Sequence, residues 1–151
     1  MPELRNVIVF TIGAGRYAVE LRWVREVVSL GFVTNVPTAP EVLGGVCNLH
    51  GTILPVLDVS VLLGGKPGLP ARQGDGALVL EIEGLVCALR VDQIDHVASL
   101  SETTPDKDGS GTAVIDTSGR PLSLLDPTKL VRHAVDMVAA SAPDDQANAG
   151  T

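Results

Sequence analysis

Three times in this chain an apolar run meets a short turn that contains glycine, and a second apolar run follows. Val42 to Leu49 and Thr52 to Asp58 flank His50-Gly51, Leu78 to Ile82 and Leu85 to Val91 flank Glu83-Gly84, and Ala113 to Asp116 and Pro121 to Leu125 flank Ser118-Gly119. So short a connection leaves two strands only one arrangement, the antiparallel hairpin. Glycine supplies the positive φ that such turns need and that other residues adopt reluctantly. A fourth hairpin runs from Val7 to Ile12, turns through Gly13-Ala14-Gly15-Arg16 and returns along Tyr17 to Leu21, and Ile94 to Leu100 reads as a further strand. Pro55 has no amide to donate, so the sequence assigns it to an edge or a bulge.

Two helices are expected beside these strands. Leu21, Val24, Val27 and Val28 follow helical spacing with Arg22, Arg25 and Glu26 between them, which predicts a short amphipathic helix over Arg22 to Val28. Asp126 is a good N-cap and Pro127 suits the first helical position. Leu130, Val131, Ala134, Val135 and Val138 then form one apolar face. Val59 to Leu63 is expected as a helical turn before Gly64-Gly65, and Lys66 to Gly76 as a loop. Ser101 to Gly111 is expected to be polar and mobile. Residues 1–140 read as one domain, and 141–151 as a disordered tail.

The chain of 151 residues is 45% hydrophobic and only 3% aromatic, so its core must be built from Val, Leu and Ile. Sheets of many short strands protect their edges best by closing, which favours small barrels in a mainly all-β fold. The net charge of −7, without Lys/Arg clusters, argues against nucleic acid and anionic membrane surfaces as partners. The opening Met1-Pro2-Glu3-Leu4-Arg5 lacks the layout of a signal peptide, and no apolar run approaches the roughly 20 residues of a membrane helix. A soluble, cytoplasmic protein is expected. Cys47 and Cys87 lie inside apolar runs and read as buried thiols.

The ingredients of catalysis do not assemble. The histidines are His50, His96 and His133. His50 follows Cys47 at a spacing that could give two zinc ligands, but a structural site needs four, and no second pair is evident. The same two residues lack any recognisable setting for a nucleophile and base. Glu81, Glu83, Asp92 and Asp95 alternate with apolar neighbours and belong on solvent faces, and Asp58 reads as a cap or turn residue. The expectation is a protein that is not an enzyme and has no metal or cofactor.

From Val7 to about Ala140 the sequence resembles the CheW family. Phe10-Thr11-Ile12-Gly13 and Tyr17-Ala18-Val19-Glu20-Leu21 resemble its first hairpin, Val24-Arg25-Glu26-Val27 its V-x-E-V/I pattern, and Val36-Pro37-Thr38-Ala39-Pro40 its P-x-x-P. The strongest likeness is Gly44-Gly45-Val46-Cys47-Asn48-Leu49-His50-Gly51-Thr52-Ile53-Leu54-Pro55-Val56-Leu57-Asp58, against a pattern close to G-v-x-N-L-R-G-x-i-x-P-V-x-D. Val91-Asp92-Gln93-Ile94 and Leu124-Leu125-Asp126 resemble later signatures, in the right order.

The resemblance implies two packed SH3-like five-stranded β-barrels with a short connecting helix and a C-terminal helix. It implies a stand-alone bacterial adaptor in a two-component chemotaxis system, a scaffold linking a CheA-type histidine kinase, through that kinase's own CheW-like regulatory domain, to the cytoplasmic tips of methyl-accepting chemoreceptors. Weak self-association through barrel ends would fit the same surfaces. Carried over from the motifs, Leu21, Val24, Val27 and Ile53 would line the receptor groove with Glu26 at its rim, Val79 would join from the neighbouring barrel, and His50-Gly51 would form the motif turn. One departure stands out: His50 occupies the place of the pattern's Arg. Arg is a permanent planar cation, whereas His is often neutral near pH 7. That change raises an alternative, a CheW-like regulator of a divergent array that binds kinase without standard receptor coupling.

Overall fold

The computed structural model describes residues 5–68, 70–100, 104–105, 111–115 and 121–141. The expected Ser118-Gly119 turn, most of Ser101 to Gly111 and the tail from 142 lie outside the described residues.

The strands sort into two sheets. The first hairpin pairs β1 (Arg5–Ile12) with β2 (Gly15–Glu20). A 3-10 turn, Leu21–Trp23, carries the chain into the second sheet, where β3 (Val24–Ser29), β4 (Val33–Thr34), β5 (Leu43–Leu49), β6 (Thr52–Asp58), β7 (Gly76–Ile82) and β8 (Leu85–Val91) follow in sequence. The chain then returns to the first sheet with β9 (Gln93–Leu100), β10 (Thr104–Pro105), β11 (Gly111–Ile115) and β12 (Pro121–Leu125). The orders are β10-β11-β12-β2-β1-β9 in lobe A and β3-β7-β8-β6-β5-β4 in lobe B. Each sheet therefore has five longer strands and a two-residue strand at one edge, the mainly all-β, two-barrel architecture expected.

Both described glycine turns form as the sequence requires. His50 and Gly51 have φ of 52° and 85°, and Glu83 and Gly84 have 52° and 85°. Positive φ at both central positions gives the turn a twist that matches the flanking strands.

Alternation explains why the apolar runs are continuous. In β7, Ala77 and Val79 point into lobe B, and Leu78, Leu80 and Ile82 point towards lobe A. In β8, Ala88 points inwards, and Cys87, Leu89 and Val91 point across. In β1, Val7 and Val9 fill lobe A, while Ile8 and Phe10 join the shared core. These strands are buried on both faces over most of their length, so polar residues enter only near their ends, as Glu81 in β7 and Arg90 in β8 do. The largest core is thus the layer between the lobes, capped by Leu130, Val131 and Ala134 of α2 (Pro127–Ser141).

Three expectations need correction. Val24–Ser29 is a strand, not part of a helix: the residues alternate half-buried and exposed, and they pair with β7 from Val24↔Leu80 to Ser29↔Gly76. Three β-branched valines favour that pairing, and a bulge at Arg25 imitates helical spacing by turning Val24 and Val27 to the same face. Pro55 lies in β6, an interior strand between β8 and β5. It stays compatible because the parallel pairing with β8 begins only at Val56. The apolar face of α2 is narrower than its sequence suggests: Val135 and Val138 are exposed, and Met137 packs on the core instead. Asp126 does cap this helix, accepting from the Thr128 amide at 3.0 Å.

The Asp58 carboxylate caps α1 (Val59–Leu62) by accepting from Val61 N at 3.3 Å, and its other oxygen accepts from Gly68 N at 2.9 Å. At the junction of the lobes, Asp92 donates its amide to Thr11 O at 2.9 Å and accepts from Gly13 N at 2.6 Å.

Candidate functional site

The residues singled out in the sequence fall on the two sides of β3. Residues directly opposite in an antiparallel pair share a face. Glu26 lies opposite Val79, which is 1% exposed and packs inside lobe B, whereas Val24 and Val27 lie opposite Leu80 and Leu78 of the shared core. Leu21 and Val24 are half-buried against that core. Ile53 is on the same face of β6 as Leu57, another shared-core residue, but is itself 64% exposed, and Val27 is 47% exposed. Leu21, Val24, Val27 and Ile53 therefore all belong to the face of lobe B that looks towards lobe A. Two of them are partly covered and two are open.

Glu26, Val79 and His50 meet on the other side. They line an open cleft of about 210 Å³, with Val79 as floor. Across its rim His50 Nε2 lies 2.8 Å from Glu26 Oε1, joining two residues 24 apart in the chain. The turn that presents His50 is held by Gly51 N donating to Asn48 Oδ1 at 2.9 Å. Arg25 borders the cleft and reaches Glu81 Oε2 at 3.3 Å.

Sequence reasoning missed Arg25, Leu49, Thr52, Leu54 and Val86 in this cleft. Strand alternation carries the signal: Thr52 and Leu54 share a face, Leu49 is the cross-strand partner of Thr52, and Val86 is that of Glu81, two residues beyond Val79.

The geometry suits binding by shape and charge. Cys47 is buried in lobe B and burial raises its thiol pKa, while His50 sits exposed with its imidazole on Glu26. Cys87 is buried in the shared core. His96 and His133 are exposed. Among the described residues no group of three His, Cys, Asp or Glu side chains is placed to hold a metal ion, and no helix is long and apolar enough to cross a membrane.

The sequence model of the CheW-like domain matches residues 6–135, from the start of β1 into α2. This chain belongs to the CheW-like domain family. Among named CheW-like relatives, it is 32% identical over 106 residues to the chemotaxis protein CheW of Rhizobium meliloti, an alignment covering 68% of each chain. It is 31% identical over 98 residues to the probable chemotaxis protein CheW of Rhizobium etli, covering 65% of this chain and 63% of that one. The match to the Klebsiella aerogenes chemotaxis protein CheW, at 29% identity, spans 58% of that protein. Two of these three alignments thus span less than two thirds of the relative's length. The fold is similar to the crystal structure of the scaffolding protein TtCheW from Thermoanaerobacter tengcongensis, with a TM-score of 0.73 at 23% identity, covering 86% of this chain and 89% of that one.

Proposed function

We propose that this chain is a cytoplasmic chemotaxis adaptor that couples a CheA-type histidine kinase to the tips of chemoreceptors, working through surface contact rather than catalysis. Residues 1–140 act as one CheW-like unit in this reading, with 141–151 as a tail. The observation that carries it is the pairing of a CheW-like domain match over residues 6–135 with open aliphatic surface, Val27 and Ile53, on the lobe face that carries the CheW motifs. A receptor tip is a helical hairpin, and a strip of aliphatic side chains with a charged edge is what the apolar face of an amphipathic helix requires. Leu21 and Val24 would continue the strip towards the seam between the lobes, with the Glu26–His50 pair on the opposite side of β3. Val79 would act from beneath, as the floor that holds β3 in place.

The divergent-array alternative rests on His50 alone and is not favoured, because His50 still joins Glu26 across the rim. The test is capture of a receptor cytoplasmic fragment and, separately, of the kinase regulatory domain. Ile53→Asp and Val27→Asp should each lose most receptor capture, keep kinase capture and leave the melting temperature nearly unchanged. Equal receptor capture by both variants and the parent would defeat the assignment of this surface.

A further inference from the structure

The chain passes from lobe A to lobe B through Leu21–Trp23 and returns through Asp92, and these two passages hold the first hairpin at its opposite ends. Leu21 follows Glu20, whose partner Val7 lies near the open end of the hairpin. Asp92, the single residue between β8 and β9, sits at the turn end: its amide donates to Thr11 O at 2.9 Å, and its Oδ2 accepts from Gly13 N at 2.6 Å. We infer that Asp92 is a positioning residue for receptor binding, fixing the angle between the lobes at which the aliphatic strip meets its partner, an inference that rests on the adaptor reading above.

The carboxylate does what the covalent chain cannot. A one-residue link has two soft dihedral angles about which the lobes could swing. Three contacts remove that freedom. The Thr11 bond adds a rung to the β1–β9 ladder beyond Thr11↔Gln93, the Gly13 bond ties down the hairpin turn, and Arg90 Nη1 lies 3.3 Å from Oδ1 on the lobe B side. Gly13 meets the carboxylate with φ of 58°, a value glycine adopts at no steric cost. One ionised group thus accepts from both lobes, and hydrogen bonds to an ionised acceptor are stronger than neutral ones.

The strip depends on that angle because both lobes place it. Leu21 belongs to a turn that touches β1 of lobe A and β7 of lobe B, and Leu21 and Val24 pack on the core that Ile8, Phe10 and Val19 of the hairpin help to build. Lobe A also offers aliphatic surface on the side turned to lobe B: Val97 lies opposite Ile8 and is 58% exposed. A helix that follows Val27 and Ile53 towards the seam therefore meets lobe A, and the pose of the hairpin decides how far Leu21 and Val24 stay within its reach. Holding that pose before the partner arrives removes a cost from binding.

The experiment is a calorimetric titration of the full chain with a receptor cytoplasmic hairpin fragment, together with the spacing of two spin labels, on His96→Cys in lobe A and Glu41→Cys in lobe B, both exposed positions. The native thiols are buried and stay unlabelled. Asp92→Ala should bind about three- to tenfold more weakly, the range that a change remote from the ligand spans, and its label spacing should broaden. Asp92→Asn keeps an oxygen for Gly13 N and should stay within about twofold of the parent, with the parent's narrow spacing. Asp92→Ser takes the place of Asp92→Ala should that variant not fold. Parental affinity or parental label spacing in Asp92→Ala, or equal losses in Asp92→Ala and Asp92→Asn, would each overturn the inference while leaving the adaptor reading intact. No binding by the parent would sink both.

Discussion

Arg90 Nε donates to Asp75 Oδ2 at 2.9 Å, while Nη1 of the same guanidinium lies 3.3 Å from Asp92 Oδ1. Asp75 belongs to the loop before β7, and Asp92 accepts from Gly13 in the first hairpin of lobe A. One cation thus ties a lobe B loop to the junction of the lobes. Both Arg90 and Asp75 retain under a quarter of their side-chain exposure, so water screens the pair only in part. Arg90→Ala should cost about 2 kcal/mol, less than a fully buried pair would lose, as read by urea unfolding.

The same contact makes stability depend on acid. Burial alone would raise the Asp75 pKa, but the Arg90 hydrogen bond, the Arg72 amide and the charges of both arginines together hold it below the ordinary carboxylate value. A lowered folded pKa adds stability above the unfolded value of about 4 and loses it as pH falls through the folded value. Asp75→Asn should therefore lower the melting temperature at pH 7, and its deficit should shrink below about pH 4. A deficit unchanged at lower pH would refute this account.

Thr38 has φ of 60° in the turn that Ala39 N closes on Val36 O at 3.2 Å. Pro37 is well placed there, but the position after it calls for glycine, and a β-branched residue with positive φ is strained by about 1–3 kcal/mol. Glycine loses more chain entropy on folding, which offsets part of the relief. Thr38→Gly should still raise stability by about 1 kcal/mol, measured by chemical denaturation.

Burial pushes the Cys87 thiol up to about 11 and raises that of Cys47. A thiol kept neutral by the fold contributes stability below the unfolded thiol pKa, which is lost as pH rises through the folded one. Stability should stay level to about pH 8.5 and fall above it. Thiol titration with a disulfide reagent at neutral pH should label neither cysteine in the folded chain and both in guanidinium.

The shared core predicts joint unfolding. Phe10 comes from lobe A and is fully buried in the layer that also holds Leu78, Leu80 and Leu89 of lobe B. Phe10→Ala should cost about 3–5 kcal/mol, and Trp23 fluorescence and far-ultraviolet circular dichroism should follow one transition. Two separated transitions would show that the lobes are independent.

Much of this fold was legible because its strongest signals are local. Gly51 and Gly84 mark turns by a backbone need that few other residues meet, and Asp126-Pro127 marks a helix start for similar reasons. The segment from Leu21 to Val28 defeated periodicity because eight residues hold too few repeats to separate the periods, and the Arg25 bulge shifts the alternation partway. What belongs to the site was legible only by motif. Nothing near Glu26 in sequence announces His50, and their contact depends on how lobe B closes. Val79 shows the same limit from the other side: its place opposite Glu26 follows from register, its burial from the lobe B core, which no local pattern records.

The path of the chain has a consequence for synthesis. Lobe B is a continuous stretch from Val24 to Val91, whereas lobe A is assembled from both ends of the protein. On the ribosome β1 and β2 emerge first, yet their sheet partners β9 and β12 arrive only after all of lobe B has been made. The first hairpin must therefore wait with Ile8, Phe10 and Val19 uncovered while the later lobe closes ahead of it. Protease pulses on stalled nascent chains should find lobe B protected before the N-terminal strands.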